Sequence, residues 1–444
     1  MLGGAAVVLG AAVVASCTSN VTYFCGEEGC DGNAGGGGAA TGVSVGGGPD
    51  ATTASTVGSG PAVMLCTSDA MCASGFCRDG VCCDRACDAP CEVCSIAAGA
   101  EIDGVCWPGV NDDADGDGFS IALGDCLDCD PLVNPGAFEL PTERNEIALD
   151  ENCDAQIDEP PALCDTNLAL VDTSALSAAK ALGLCQMASG TDMKHGVVDA
   201  RWVRADGSPA QGGYNASVQA NWGPNVATRE GGRLLALSSG HARLPNQPGA
   251  CGSLTCSITG PGTPPPGFPA SVPNCPGSSV INDDIALELT LRAPTNAAGY
   301  SIDLDFYSFE FPEWVCTSYN DQFVAIVSPQ PVGAQNGNIV FDLMSVPMSV
   351  NMLMPVCTYS PSLPQFPCSL GAAELQGTGF DVWNDGAATS WLRTSAPVTA
   401  GEIVSIRLAI WDAGDAAWDS TVLLDNFRWL PHDTAVSVLT TPAP

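Results

Sequence analysis

With 444 residues, 50 acidic side chains and only 14 basic ones, the chain carries a formal net charge of −36. Phosphate backbones and anionic bilayers are held by clustered lysine and arginine, so nucleic acid is excluded as a partner, and so is docking on a membrane through a basic face. Twenty-three cysteines exclude a reduced compartment, and 50 glycines with 33 prolines point to turns and loops rather than long helices.

The chain opens on a small, apolar run, MLGGAAVVLGAAVVAS, followed by Cys17. Such a run is short for a membrane span and ends in small residues, as an export signal does. Val14-Ala15-Ser16-Cys17 resembles the bacterial lipobox. That resemblance implies a lipoprotein signal over 1–17, a lipid on Cys17, and a membrane partner reached through that anchor at the outer membrane or cell surface. The alternative is an ordinary cleaved signal and a secreted protein with one spare thiol. Setting Cys17 aside leaves 22 cysteines, which can form eleven disulfides. Residues 18–62 are low-complexity Gly/Ala/Ser/Thr sequence with nothing to bury. As a flexible tether its longest featureless stretch would reach roughly 30 Å.

A cysteine-rich module spans 63–110, with nine cysteines between Cys66 and Cys106 and few large apolar residues among them. So small a unit is stapled covalently. Cys91-x-x-Cys94 has the spacing of zinc ligands, but no histidine lies nearby, and an exported chain favours disulfides. The pattern resembles small cysteine-rich modules of secreted bacterial proteins.

The next segment, 111–160, is acidic. It begins DADGDGFSIALGDCLDCD at 113–130 and ends DENCDAQIDE at 150–159. Between 111 and 159 stand ten aspartates and five glutamates against one basic residue, Arg144. Asp113, Asp115 and Asp117 alternate ahead of Gly118 as in a calcium loop. The twelfth position is Gly124, not glutamate, so the loop is not an EF-hand. Asp125, Asp128 and Asp130 supply later oxygens around Cys126 and Cys129. Asp150, Asn152, Asp154, Gln156 and Asp158 alternate again, ending at Glu159. Carboxylates crowded this closely repel one another unless a cation holds them or the stretch is an unstructured acidic linker. The regular spacing and the cysteines within the clusters favour a cation. Oxygen donors, with no histidine or methionine between 111 and 159, select Ca2+ rather than a soft metal.

DADGDG, DCLDCD, Asn134-Pro135-Gly136-Ala137-Phe138-Glu139 and DENCDAQIDE together resemble the MopE-type metal-binding repeat. The chain departs from that pattern at the inserted Cys129 and at Ala155-Gln156, where the repeat usually has a glycine.

From 161 to 432 short runs alternate apolar and polar residues: IALELTLRAP, YSIDLDFYSFEF, DQFVAIVSP, NIVFDLM, VSIRLAIWDA and STVLLDNFRW. Each is bounded by Gly, Pro, Asn or Asp, which predicts an all-β domain, an antiparallel β-sandwich of jelly-roll type. One helix is predicted in DTSALSAAKALGLC, with Asp172 or Ser174 as N-cap and Gly183 as stop. CGSLTC and the proline-rich stretch to Cys275 read as a disulfide-pinned excursion, and 433–444 as a disordered tail.

FEFPEWV at 309–315 and YNDQF at 319–323, flanked by GVVDARWVRADG, GGRLLALSSG and DSTVLLDNFRW, resemble the choice-of-anchor L domain of bacterial surface proteins over roughly 165–430. The resemblance implies a secreted or surface β-sandwich and no particular reaction. Acids gather where strands end: Glu310, Glu313, Asn320, Asp321, Asp412, Asp415, Asp419, Asp425 and Asn426. Of these Glu310, Asn320, Asp321, Asp419 and Asp425 are candidates for a second metal or ligand site. Asn320-Asp321 and Asp425-Asn426 read equally as turn caps. Trp314, Trp383 and Trp391 are either core residues or a stacking surface for sugars.

No HExxH occurs, the one Gly-x-Ser-x-Gly match, GVSVG at 42–46, falls in the low-complexity tract rather than between a strand and a helix, and the three histidines, His195, His241 and His432, stand in neither motif. The expectation is therefore not an enzyme. The sequence reads as an exported, surface-anchored calcium-binding lipoprotein serving as a binding, adhesion or structural envelope module, with a glycan or protein as ligand. The alternative is a secreted carbohydrate-active hydrolase using rim carboxylates such as Glu310 and Glu313.

Overall fold

The computed structural model describes residues 64–88, 91–98, 100–107, 113–142, 148–189, 193–352, 356–358, 368–382 and 386–444. The expected signal with Cys17, the linker and Trp383 lie outside the described residues.

In the cysteine-rich module β1 (Cys77–Arg78) and β2 (Val81–Cys82) form a hairpin. Its turn, Asp79-Gly80, has positive φ at both residues (53° and 79°), the conformation a two-residue hairpin requires and Asp-Gly tolerates. Four disulfides close around it: Cys66–Cys77, Cys72–Cys82, Cys83–Cys94 and Cys87–Cys106. Cys91 pairs with Cys129 of the acidic segment. Cys91 and Cys94 therefore each have a sulfur partner, and the zinc alternative falls.

Among its described residues the acidic segment is nearly all loop, with a single 3-10 turn at Ile121–Leu123. Cys126–Cys153 ties its two halves together.

The short helix α1 (Ala175–Ala181) starts at Ser174, whose hydroxyl accepts from the Ser177 N–H. Asp172 accepts from the Ser174 N–H and the Ser177 hydroxyl, and Gly183 leaves the helix at φ 89°. The strands that follow are β3 (Gly196–Val203), β4 (Ala216–Gln219), β5 (Leu234–Ser238), β6 (Pro261–Gly262), β7 (Ile281–Arg292), β8 (Ala297–Ser308) and β9 (Gln322–Ser328). The chain continues through β10 (Met348–Ser349), β11 (Cys357–Thr358), β12 (Ala387–Ala388), β13 (Leu392–Pro397), β14 (Ile403–Ala413), β15 (Ser420–Pro431) and β16 (Leu439–Pro442). One antiparallel sheet runs β10-β9-β14-β7-β3, with β6 on β7. The other runs β11-β12-β8-β15-β5-β4, with β13 pairing β8 and β16.

The two sheets face each other as a sandwich. Alternate residues point inward: Leu287, Leu289 and Leu291 from β7, Ile406, Leu408 and Ile410 from β14, Ile302, Leu304 and Phe306 from β8, and Val422 and Leu424 from β15. Leu182 of the α1 cap joins the same core. The opposite faces are covered too. Phe268 and Trp411 pack outside the first sheet, and Trp222, Leu375 and Phe380 outside the second. Polar residues on the outward positions of β7 and β8 are therefore buried rather than solvated, among them Asp284, Glu288, Asp303 and Asp305.

Three sequence expectations differ. The tail is not disordered over 439–442: β16 pairs with β13, and buried Thr440 donates from its hydroxyl to Thr394 Oγ1. NIVFDLM forms only isolated bridges, because the Asn338 side chain takes backbone partners, accepting from the Ala325 and Val340 N–H groups. Finally, the β domain extends past 432 to that last strand.

Candidate metal-binding carboxylates

The loop geometry of the acidic segment sorts its carboxylates into two uses. Some cap backbone amides. Asp113 accepts from the N–H groups of Gly116, Asp117 and Gly118, Asp130 from Leu132, Asp150 from Asp154 and Ala155, and Asp154 from Gln156. Asp158 accepts from the Thr142 N–H. These bonds build the Asx turns that make every second side chain converge.

Four others also cap an amide through Oδ1, Asp115 that of Asp117, Asp117 that of Phe119, Asp125 that of Leu127 and Asp128 that of Ala114, and in addition lie close to one another. Asp115, Asp117, Asp125 and Asp128 each keep one buried oxygen, Oδ2, without a hydrogen-bond partner. Asp125 is 4 % exposed and Asp128 2 %. Burial, then the charges of Asp117, Asp115 and Asp128, pushes the Asp125 carboxyl up to about 6. Asp115 and Asp117 are raised by burial and by neighbouring carboxylates.

A second group forms where the segment closes. Glu139 Oε2, Asn152 Oδ1 and Glu159 Oε2 are buried and unpartnered, while Asn152 Nδ2 donates to Glu159 Oε1 at 2.8 Å. Burial, then Glu151 and Glu159, pushes Glu139 up to about 7. Glu139 was not among the carboxylates read as ligands from spacing; its signal in the sequence is the Pro-Gly-Ala-Phe-Glu element of the repeat-like pattern.

Seven all-oxygen donors in two groups suit a hard divalent cation. Among the described residues no ion pair reaches any of them. An unpartnered buried carboxylate loses its hydration without compensation, a cost that either a proton or a bound cation relieves.

The first group is joined to the sandwich. Buried Asn134 accepts at Oδ1 from the Gly136 N–H and the Thr295 hydroxyl. The Phe138 N–H donates to Asn296 Oδ1 at 3.0 Å, and Asn296 Nδ2 donates to the Phe138 carbonyl at 2.8 Å. Gly136 is needed for the close approach: a Cβ there would stand 3.0 Å from the Met193 carbonyl and the Phe119 ring.

At the rim of the sandwich the structure separates the five candidates. Glu310, Asp321 and Asp419 come to one end of it, together with Asp412. Asn320 accepts from Asn351 Nδ2. Asp425 lies elsewhere, accepting from the Arg229 and Glu230 N–H groups, and burial pushes it up to about 7. Glu313 is exposed while Glu310 is 1 % exposed, so the two do not share a site as a carboxylate pair. Trp314 and Trp391 are half-buried; Arg229 lies over the Trp391 ring at 6.0 Å.

No helix among the described residues is long and apolar enough to cross a membrane. No curated protein and no solved structure matches the chain. Residues 282–427, from the second residue of β7 into β15, match the family model described as the Choice-of-anchor L domain, and a domain of that family suggests a surface-associated, extracellular protein.

Proposed function

We propose that this is an exported protein displayed on the cell surface through a lipid on Cys17, in which Ca2+ orders the acidic segment and so fixes the cysteine-rich module against a β-sandwich used for binding or for envelope structure. The four buried, unpartnered oxygens of Asp115, Asp117, Asp125 and Asp128 carry this reading. A cation there removes the repulsion and holds Phe119 and Asn134 in place for the contact with Thr295 and Asn296. The sandwich supplies the broad surface, and a glycan or a protein is the class of ligand such a surface takes.

The test is removal and return of calcium. Full-length protein stripped with chelator should become protease-sensitive within 113–159 and melt lower. Millimolar Ca2+ should restore both, by roughly 2–3 kcal/mol if the site is filled at about a hundred times its dissociation constant. Asp125→Asn and Asp128→Asn should each weaken binding in calorimetry at least tenfold. Identical protease maps and melting with and without Ca2+ would refute the proposal.

A further inference from the structure

The sandwich has an acidic end of its own. β15 runs antiparallel to β8 and β9 to β14, so the end of β8, the start of β9, the end of β14 and the start of β15 meet at one rim. Each contributes a carboxylate: Glu310 just past β8, Asp321 just before β9, Asp412 in β14 and Asp419 just before β15. Their exposures are 1 %, 0 %, 1 % and 5 %.

Elsewhere on this domain three buried carboxylates meet arginine, while others such as Asp283 and Asp305 are met by backbone N–H groups or hydroxyls. Asp284 pairs with Arg204, Glu288 with Arg201 and Arg407, and Asp303 with Arg229 and Arg393. None of the ion pairs among the described residues reaches the rim cluster. Asp321 is held in place, accepting from the Ala413 N–H and the Ser420 hydroxyl. Asp419 Oδ2 accepts from the Cys256 N–H, but its Oδ1 has no partner. Neither oxygen of Asp412 meets a donor in good hydrogen-bond geometry, although Ser239 and Asp321 lie beside it. Gly240 comes so close to Asp419 that any Cβ there would collide with the carboxylate, so the backbone is shaped around this group.

We propose that Asp412, Asp419 and Glu310, with Asp321 bracing them, bind a divalent hard cation independently of the acidic segment. The donors are all oxygens, which selects Ca2+ or Mg2+ over soft metals. The competing occupant is a proton shared between Asp412 and Asp321. That state leaves Asp419 Oδ1 unsatisfied, whereas a cation meets both carboxylates.

Aromatic rings border the cluster and supply a readout. Trp418 precedes Asp419, and Trp314 lies 5.1 Å from both Trp418 and Tyr319. Tb3+, a luminescent substitute for Ca2+, should be sensitised by these tryptophans. The experiment uses full-length protein carrying Asp125→Asn and Asp128→Asn, which disable the first group of the acidic segment, and Glu159→Gln, which disables the second. Tryptophan-sensitised Tb3+ emission, displaced by excess Ca2+, is expected to persist there. Adding Asp412→Asn should cut it about tenfold and should raise the melting temperature in chelator, because an unpaired buried charge is removed. Trp418→Phe should cut emission without changing the calcium bound per chain, measured by elemental analysis. No sensitised emission in the triple variant, or emission insensitive to both Asp412→Asn and Trp418→Phe, would overturn the proposal.

Discussion

Asn296 is fully buried between β7 and β8, and its amide exchanges two hydrogen bonds with the backbone of Phe138 across 158 residues of chain. One side chain thus does the work of a bridge between two strands. Truncating it removes both hydrogen bonds from the half-buried backbone of Phe138, which costs about 1–3 kcal/mol. Asn296→Ala should therefore lower the unfolding free energy from denaturant titration by that amount and should make 113–142 more open to protease, while leaving the sandwich core intact by near-UV circular dichroism. Equal protease sensitivity in variant and wild type would mean that the contact does not hold the acidic segment. Nothing in the sequence marked Asn296, because Pro294-Thr295-Asn296 reads as an ordinary turn. By contrast Asp115 and Asp117 were legible from alternation, since loop residues two apart converge when each intervening residue is turned by an Asx bond.

Strands carry a different kind of information. The long runs of β7, β8, β14 and β15 could be read from alternation and turn residues, and the register of their pairing follows from which alternate face is apolar. What alternation hid is that the outward faces are buried as well. The arginines of β3, β13 and β14 lie across from the carboxylates of β7 and β8, so a polar position reads as solvated when it is covered and paired. The irregularity in β7 is a second case. Asp283, at φ 51°, sits where the register with β14 shifts between Ile410 and Asp412. A bulge changes which way neighbouring side chains face, and it left no trace in the period-two pattern that located the strand. Asp283 instead accepts from the Ile258, Thr259 and Gly260 N–H groups.

The outer face of β8 also carries a pH response. Asp305 is raised well above the usual carboxylate range by burial and then by Glu374, and Glu374 is itself raised by burial. The Tyr307 hydroxyl lies 3.1 Å from Asp305 Oδ2 and 3.3 Å from Glu374 Oε1. In the unfolded chain both acids titrate near pH 4. Between that pH and their raised values the folded protein holds more protons, so stability must fall as pH rises through this window. The contribution is fully present below it. Glu374→Gln keeps a polar partner but removes one titrating group, so the loss of stability from pH 5 to pH 8 should be smaller than in wild type. Comparing variant with wild type in chelator subtracts the titration of the other raised carboxyls, and parallel pH profiles would contradict the assignment.

For the molecule as a whole, the net charge of −36 imposes repulsion on every folded arrangement, and two physically distinct remedies are available. Exposed carboxylates are relieved by dissolved salt, because the screening length falls to about 3 Å at 1 M. The convergent oxygens of Asp125 and Asp128 are not, since they are buried beyond the reach of a mobile ion atmosphere. Covalent restraint adds a third element: Cys91–Cys129 and Cys126–Cys153 keep the acidic loops near each other even without a cation. The disulfides therefore limit how far the segment opens, and under the proposed calcium binding the ion decides whether it closes. In chelator, adding 0.5 M NaCl should raise the melting temperature modestly through the exposed charges. It should leave 113–159 protease-sensitive. Millimolar Ca2+ at low salt should protect that segment, and in 0.5 M NaCl its effect should persist with reduced affinity, because like-charged loops attract a divalent ion less strongly once screened. If NaCl alone reproduces the whole protection given by Ca2+, the cation acts as bulk screening and the buried oxygens are not its site.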